Sequence, residues 1–369
     1  MQPAMKTSVG MLGLVLPLLS SGIHAETVQP LPALNIDITQ TSVSGISSGG
    51  FMAVQIGVAY SSIIKGVGVV AAGPYYCSQD DTQKAITRCS CTGEPYAACQ
   101  VSNDSTSVPA LVAATQDFHS RQLIDDPANV KHQRIVTISG AKDSTVPSPV
   151  VRQLDSFYDA MGVAPGNLSA NWLPNAGHTM PTPNYGAACA KSVSPFIGKC
   201  QYDGAKAILG WIYGPAPLTP RTGSQQRGQF IRFDQSAFIP KDNELPGSAG
   251  LDNTGWLYVP DDCKNGAKCR LHIALHGCRQ GQDYLPISGP TVGGLYFGTT
   301  FVKHSGYDQW ADNNKIVVLF PQAVSIPQVN PFGCWDWWGY TNAHYADRQG
   351  VQMQAIRGMI DKLTSGATP

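Results

Sequence analysis

Apolar and polar positions alternate along this chain in two rhythms. The stretch Ile36-Asp37-Ile38-Thr39-Gln40-Thr41-Ser42-Val43 has the period of two expected of a strand, and residues 52–60 then read as a helix. Residues 66–73 form a continuous run of small apolar side chains, the pattern of a strand buried on both faces of a parallel sheet. A helix over 109–121, a strand over 134–139, a helix over 149–161, a strand over 168–173 and a helix over 204–213 follow. Further strands are expected at 229–233, 255–260, 270–275 and 316–320, with helices at 307–313 and 346–363. Strands that alternate with helices predict the α/β class, with a mostly parallel, doubly wound sheet. Residues 77–105 have no clear period and read as a surface excursion. The Pro- and Gly-rich stretch 214–224 is the best linker in the chain, and on its own it would argue for two domains.

Composition narrows the class. The 369 residues carry 25 basic and 25 acidic side chains, so nothing suggests a nucleic-acid surface or a polybasic membrane anchor. Residues 1–25 look like a secretory leader: Lys6 provides a weakly basic start, Val9 to Leu19 an apolar core, and Ile23-His24-Ala25 a cleavage site before Glu26. That apolar run is too short to span a bilayer, so no stable membrane anchor is expected. Ten cysteines behind an export signal read as disulfides. The short intervals from Cys189 to Cys200 and from Cys263 to Cys269 are natural local bridges, although spacing proves no pairing. The close pair Cys89 and Cys91 is too tight for the usual zinc spacing and has no His in its cluster, so no metal is expected there.

The chemistry centres on Gly45-Ile46-Ser47-Ser48-Gly49, a Gly-x-Ser-x-Gly between an expected strand and an expected helix. A serine on such a turn is a nucleophile candidate, and it needs a base, an orienting carboxylate and an oxyanion hole. Asp143 follows the strand 134–139 in a loop at a carboxyl sheet edge, where functional groups of open α/β sheets gather. The alternative for Asp143 is a helix cap, and Asp125, Asp126 and Asp155 compete for the acid role from a turn and a helix. His178, in Asn175-Ala176-Gly177-His178, follows the next strand, and Ser47, Asp143, His178 is the chain order of the α/β-hydrolase triad. Activity is then expected to fall in acid, because only a neutral imidazole accepts a proton.

The second half supplies a further part. An apolar strand running into His276-Gly277-Cys278 resembles the loop that donates an oxyanion-hole N–H in this fold. That strand and the closing helix usually precede the nucleophile strand, and here they follow it. The simplest account is a circular permutation, with residues 26–369 forming one catalytic domain and both halves sharing one sheet.

Together, Gly45-Ile46-Ser47-Ser48-Gly49-Gly50-Phe51-Met52, Gly140-Ala141-Lys142-Asp143, Ala176-Gly177-His178, Leu275-His276-Gly277-Cys278 and Asn330-Pro331-Phe332-Gly333-Cys334-Trp335-Asp336-Trp337-Trp338 resemble the extracellular poly(3-hydroxybutyrate) depolymerases in their circularly permuted, single-domain form. The resemblance covers essentially the whole mature chain. It implies Ser47 as nucleophile with Asp143 and His178 as partners, the backbone N–H groups of Ser48 and Cys278 as oxyanion hole, and a disulfide between Cys278 and Cys334. It also implies a secreted serine esterase that cuts a short-chain polyester through an acyl-enzyme without metal or organic cofactor. A related branch acts on feruloyl and acetylxylan esters of plant cell walls. The chain is expected to carry no separate polymer-binding domain or Thr-rich linker and to act as a monomer. Trp335 and Trp337 would share one face of an extended segment and are candidate substrate contacts; the alternative places them in the core.

Overall fold

The computed structural model describes residues 1, 27–221, 226–241, 246–284 and 298–368. Residues 2–25 of the expected leader, and 222–224 of the expected linker, lie outside the described residues. In chain order the elements begin with β1 (Ile36–Ile46), α1 (Ser48–Ala59), β2 (Ile64–Val70), α2 (Thr82–Thr87), α3 (Val108–Ser120), β3 (Arg134–Gly140), α4 (Ser148–Ala160) and β4 (Leu168–Leu173). Then come β5 (Met180–Thr182), β6 (Ala187–Ala188), β7 (Ile197–Lys199), α5 (Gly204–Tyr213), β8 (Gln229–Asp234), β9 (Thr254–Val259) and α6 (Asp261–Lys264). The remainder is β10 (Cys269–Leu275), α7 (Thr300–His304), α8 (Tyr307–Ala311), β11 (Ile316–Phe320) and α9 (Val351–Thr364).

One eight-stranded sheet runs β4-β3-β2-β1-β10-β11-β9-β8, and β5, β7 and β6 form a small second sheet. From β4 to β11 every neighbouring pair in the large sheet is parallel, while β9 runs antiparallel to both β11 and β8. Strands from the two sides of the 214–224 stretch therefore form two adjoining blocks of one sheet, joined at β1 and β10. In particular, β1 lies between β2 and β10, with Gly45 beside Val69 on one side and Leu275 on the other. The carboxyl end of β1 thus meets the carboxyl end of β10, although some 230 residues separate them in sequence.

Helices cover both faces. Gly66 and Gly68 of β2 face Ile212 and Ile208 of α5, whereas Val67 between them faces Gly57 of α1, as period-two alternation requires. On the α5 side, Ser42 Oγ meets Tyr213 OH at 2.7 Å and Ser44 Oγ meets Tyr307 OH at 2.6 Å, with His272 bridging both serines. Burial pushes the His272 pKa down to about 3, so this histidine is a neutral strut. On the α1 side, Tyr60 OH donates to Met353 O of α9. The strand residues between the layers, Ile273, Leu275 and 316–320 among them, are fully buried. Each such aliphatic side chain contributes about 1.5–3 kcal/mol.

The linker-like stretch is tied down. Thr219 N–H donates to Asn314 Oδ1 at 3.0 Å, Arg221 N–H to Gln309 O at 3.0 Å, and the Arg221 guanidinium contacts Asp308 at 3.1 Å. The two ends of the described chain also meet: Leu34 N–H donates to Leu363 O at 2.9 Å, and Thr368 N–H to Asn35 Oδ1 at 3.2 Å. The closing helix begins at Val351 rather than near 346, because Asp347 and Gly350 turn the chain just ahead of it. Among the described residues no helix is long and apolar enough to cross a membrane.

Candidate active site

Ser47 stands where β1 turns into α1. Its φ of 56° and ψ of −125° are unusual for a residue with a Cβ, and its N–H is held by Val70 O at 2.9 Å. Such a turn leaves room only for glycine on either side. A Cβ on Gly45 would meet Gly49 O at 2.2 Å, and one on Gly49 would meet His276 O at 2.3 Å. The Gly-x-Ser-x-Gly pattern is therefore a packing requirement, and its second glycine is what lets the His276 loop approach. Ser48 opens α1, so its N–H lies in the first turn and has no acceptor within the helix.

Asp143 follows β3 in a tight turn of its own. Its Oδ1 accepts the N–H groups of Thr145 at 2.8 Å and Val146 at 2.9 Å, and its Oδ2 lies 2.8 Å from His178 Nδ1. The side chain does not cap α4, whose cap position is Pro147. Both Asp143 and His178 are buried. A carboxylate oxygen opposite Nδ1 keeps the proton on that nitrogen and leaves Nε2 as the basic atom. His178 is held from behind as well, since its N–H donates to Ser192 Oγ at 2.8 Å. The rival acids are employed elsewhere. Asp125 accepts from Ser62 and pairs with Arg348, Asp126 caps a short turn, and Asp155 accepts from Thr137 Oγ1.

Ser47 and His178 line one cleft of about 530 Å³. Gly277 and Cys278 line it at the end of β10, and the aromatic wall comes from Phe51, Phe332, Trp337 and Trp338. Trp337 stacks on Phe51 with ring centres 4.0 Å apart and planes 8° from parallel. The Cys-rich segment does more than cover surface. Thr82, Ile86 and Thr92 also line the cleft, a role that nothing in its sequence signals.

One expectation needs correction. Trp335 is 0 % exposed and does not line the cleft; its Nε1–H donates to His276 O at 3.0 Å. The extended segment that would have put Trp335 and Trp337 on one face does not form. The Asp336 carboxylate gathers the N–H groups of Trp338, Gly339, Tyr340 and Thr341 and curls the chain into a turn. Of the two tryptophans only Trp337 reaches the cleft, and its neighbour Trp338 joins it there. Sequence reasoning also missed Gln280, whose Oε1 accepts Gly277 N–H at 2.6 Å and whose Nε2 donates to Pro195 O and Phe196 O at 2.9 and 3.1 Å. No motif marks it, because its partners are backbone atoms, two of them in a distant segment.

Disulfides join Cys77 to Cys89, Cys91 to Cys99, Cys189 to Cys200, Cys263 to Cys269 and Cys278 to Cys334. The last ties the loop after β10 to the tryptophan-rich turn. Among the described residues no three His, Cys, Asp or Glu side chains gather as a metal site would require.

Known proteins bear on this geometry. No family model matches the chain. A poly(3-hydroxybutyrate) depolymerase of Delftia acidovorans is 39% identical over 340 residues, 91% of this chain, and the chain spans 62% of that protein's length. A polyhydroxybutyrate depolymerase of Talaromyces funiculosus is 35% identical over 366 residues, covering 95% of this chain and 96% of that protein. The chain belongs to the poly(3-hydroxybutyrate) depolymerase family. Solved structures of the family superpose on the present fold. The PHB depolymerase from Penicillium funiculosum has a TM-score of 0.78 at 35% identity, covering 92% of this chain and 100% of that one. A serine-to-alanine PHB depolymerase complexed with an R3HB trimer matches with the same TM-score and the same coverage of both chains, at 34% identity. The fold is accordingly of the α/β-hydrolase type, with the mostly parallel sheet that the depolymerase family shares.

Proposed function

We propose that this chain is a secreted serine esterase that hydrolyses poly(3-hydroxybutyrate), or a closely related short-chain polyester, through an acyl-enzyme. The observation that carries this reading is the Asp143–His178 pair at 2.8 Å, whose His178 lines the same cleft as the strained Ser47. His178 Nε2 takes the Ser47 proton as Oγ adds to the ester carbonyl. The Ser48 and Cys278 N–H groups receive the oxyanion, and the protonated His178 then gives its proton to the departing alkoxide. Water repeats the sequence on the acyl-enzyme and frees Ser47. No metal or organic cofactor enters these steps.

A polymer suits the mouth of the cleft. Val329 and Phe332 line it and are exposed. Large apolar side chains gathered at a rim offer a seat to a chain with methyl side groups. Residues 26–369 read as one catalytic domain in circularly permuted order, supported by the pairing of β1 with β10 in one continuous sheet and by the contacts of Leu34 and Asn35 with Leu363 and Thr368. Five disulfides suit an oxidising compartment outside the cytoplasm, and the enzyme is taken to work as a monomer.

The test is release of soluble 3-hydroxybutyrate from amorphous poly(3-hydroxybutyrate), measured beside p-nitrophenyl butyrate and methyl ferulate, with Ser47→Ala as control. Ser47-dependent polymer release is expected. Hydrolysis of only the small esters would keep the triad and discard the polymer.

A further inference from the structure

Behind the cleft wall, two buried side chains hold the backbone that carries the Cys278 N–H. From their hydrogen bonds we propose that His276 and Trp335 are positioning residues that aim this N–H at the carbonyl oxygen of the bound ester. The inference rests on the reading of Ser47 as nucleophile and of Cys278 as an oxyanion donor.

The argument starts from the planar peptide. In a trans peptide the C=O of one residue and the N–H of the next point in opposite directions, so holding one aims the other. The Cys278 N–H shares its peptide with the Gly277 C=O, and His276 Nδ1 lies 2.7 Å from that oxygen. His276 Nε2 lies 3.0 Å from Ala323 N. A backbone amide only donates, so Nε2 must be bare and the ring proton must sit on Nδ1, pointing at Gly277 O. The tautomer is thus set by Ala323, and the tautomer sets the peptide. Full burial supports the same state, pushing the His276 pKa down to about 4 and keeping the ring neutral.

The preceding peptide is held at both ends. Its carbonyl, His276 O, accepts the Trp335 Nε1–H at 3.0 Å, and its amide, Gly277 N–H, donates to Gln280 Oε1 at 2.6 Å. Two consecutive peptides therefore lack the freedom to rotate, and the Cys278–Cys334 disulfide brings the residue before Trp335 to the same loop. Glycine at 277 would otherwise make this the most easily turned backbone in the loop. The buried Trp335 lies outside the cleft lining, so its value to the reaction comes through the loop.

Two His276 variants separate aim from bulk. His276→Gln offers an oxygen where Nε2 was, keeping a partner for Ala323, but has no donor at the Nδ1 position; His276→Asn does the reverse. With p-nitrophenyl butyrate, His276→Gln is expected to lower kcat by about 10 to 100-fold with KM nearly unchanged, a part of the 100 to 1000-fold that loss of an oxyanion donor costs. Affinity for an alkyl trifluoromethyl ketone, which adds to Ser47 and places an oxyanion in the hole, should fall by the same factor. His276→Asn should recover most of both. Trp335→Phe, which keeps a ring but removes the donor to His276 O, should lose roughly tenfold in both.

A folded His276→Gln enzyme with wild-type kcat and ketone affinity, beside an inactive Ser47→Ala, would overturn the proposal and leave the esterase reading intact. So would a kcat loss without a matching loss of ketone affinity. If His276→Gln does not fold, an unchanged ketone affinity in Trp335→Phe overturns it equally. Activity that survived Ser47→Ala would instead remove the reading beneath it.

Discussion

Replacing Asp143 with Asn exchanges one oxygen for an NH2 group, and the surroundings dictate which one. Oδ1 accepts from two main-chain donors, Thr145 N–H and Val146 N–H, at 2.8 and 2.9 Å. Neither can accept, so the asparagine must keep its oxygen there and turn its NH2 toward His178 Nδ1, 2.8 Å from the replaced oxygen. Two donors cannot face each other, and His178 must then carry its proton on Nε2. In the proposed mechanism that is the atom that takes the Ser47 proton. The fold is hardly disturbed, because the two main-chain bonds survive and the change is nearly isosteric. The expected outcome is a well-folded protein whose kcat is lower by about 10⁴-fold, or about 5.4 kcal/mol of transition-state stabilisation. Steady-state kinetics on p-nitrophenyl butyrate, with thermal unfolding as the check on folding, would measure it. A folded Asp143→Asn enzyme within about tenfold of the wild-type kcat would refute the assignment of Asp143 as the orienting acid.

Ser47→Ala should abolish turnover, while Ser48→Ala keeps its main-chain N–H and removes a buried hydroxyl that has no hydrogen-bond partner, so its kcat should stay within about tenfold and its Tm should not fall. Burial lifts the Asp155 pKa from 3.8 to about 6, so the native state binds the extra proton and this group's share of stability is lost as pH rises from about 4 to 6. Asp155→Asn, which keeps an acceptor for Thr137, should raise Tm at pH 7 and give no gain below about pH 4; a gain of equal size at both would exclude this origin. Gly49→Ala should fail to fold or lose activity, since its Cβ would sit 2.3 Å from His276 O and 2.5 Å from Leu275 O, both main-chain atoms; a stable, active variant would show that the elbow tolerates more space than the structure provides.

Local pattern made much of the molecule legible. The strands at 134–139, 168–173 and 316–320 and the helix at 204–213 lie where periodicity places them, because buried strands, alternating edge strands and amphipathic helices write their surroundings into adjacent residues. The Asp143–His178 bond was legible for a similar reason: both residues sit just past strands that end at the same sheet edge. Where a single side chain could reorganise its neighbours, pattern misled. Asp336 turned an expected extended segment into a loop and sent Trp335 inward. Asp81 capped a short helix inside a segment that has no period.

By itself the sequence determined the strand–turn–helix around Ser47, the placing of Asp143 and His178 just past neighbouring strands, and the class of fold, since each depends on residues close in the chain or on repeated burial of one face. Only the tertiary structure decided which tryptophans reach the cleft, that the Cys-rich segment lines part of it, and that His276, Gln280 and Trp335 brace the loop next to Ser47. These features rest on hydrogen bonds to backbone atoms and on contacts across the sheet from β1 to β10. A backbone carbonyl is the same group in every residue, so the sequence carries no mark of which one a distant side chain will find.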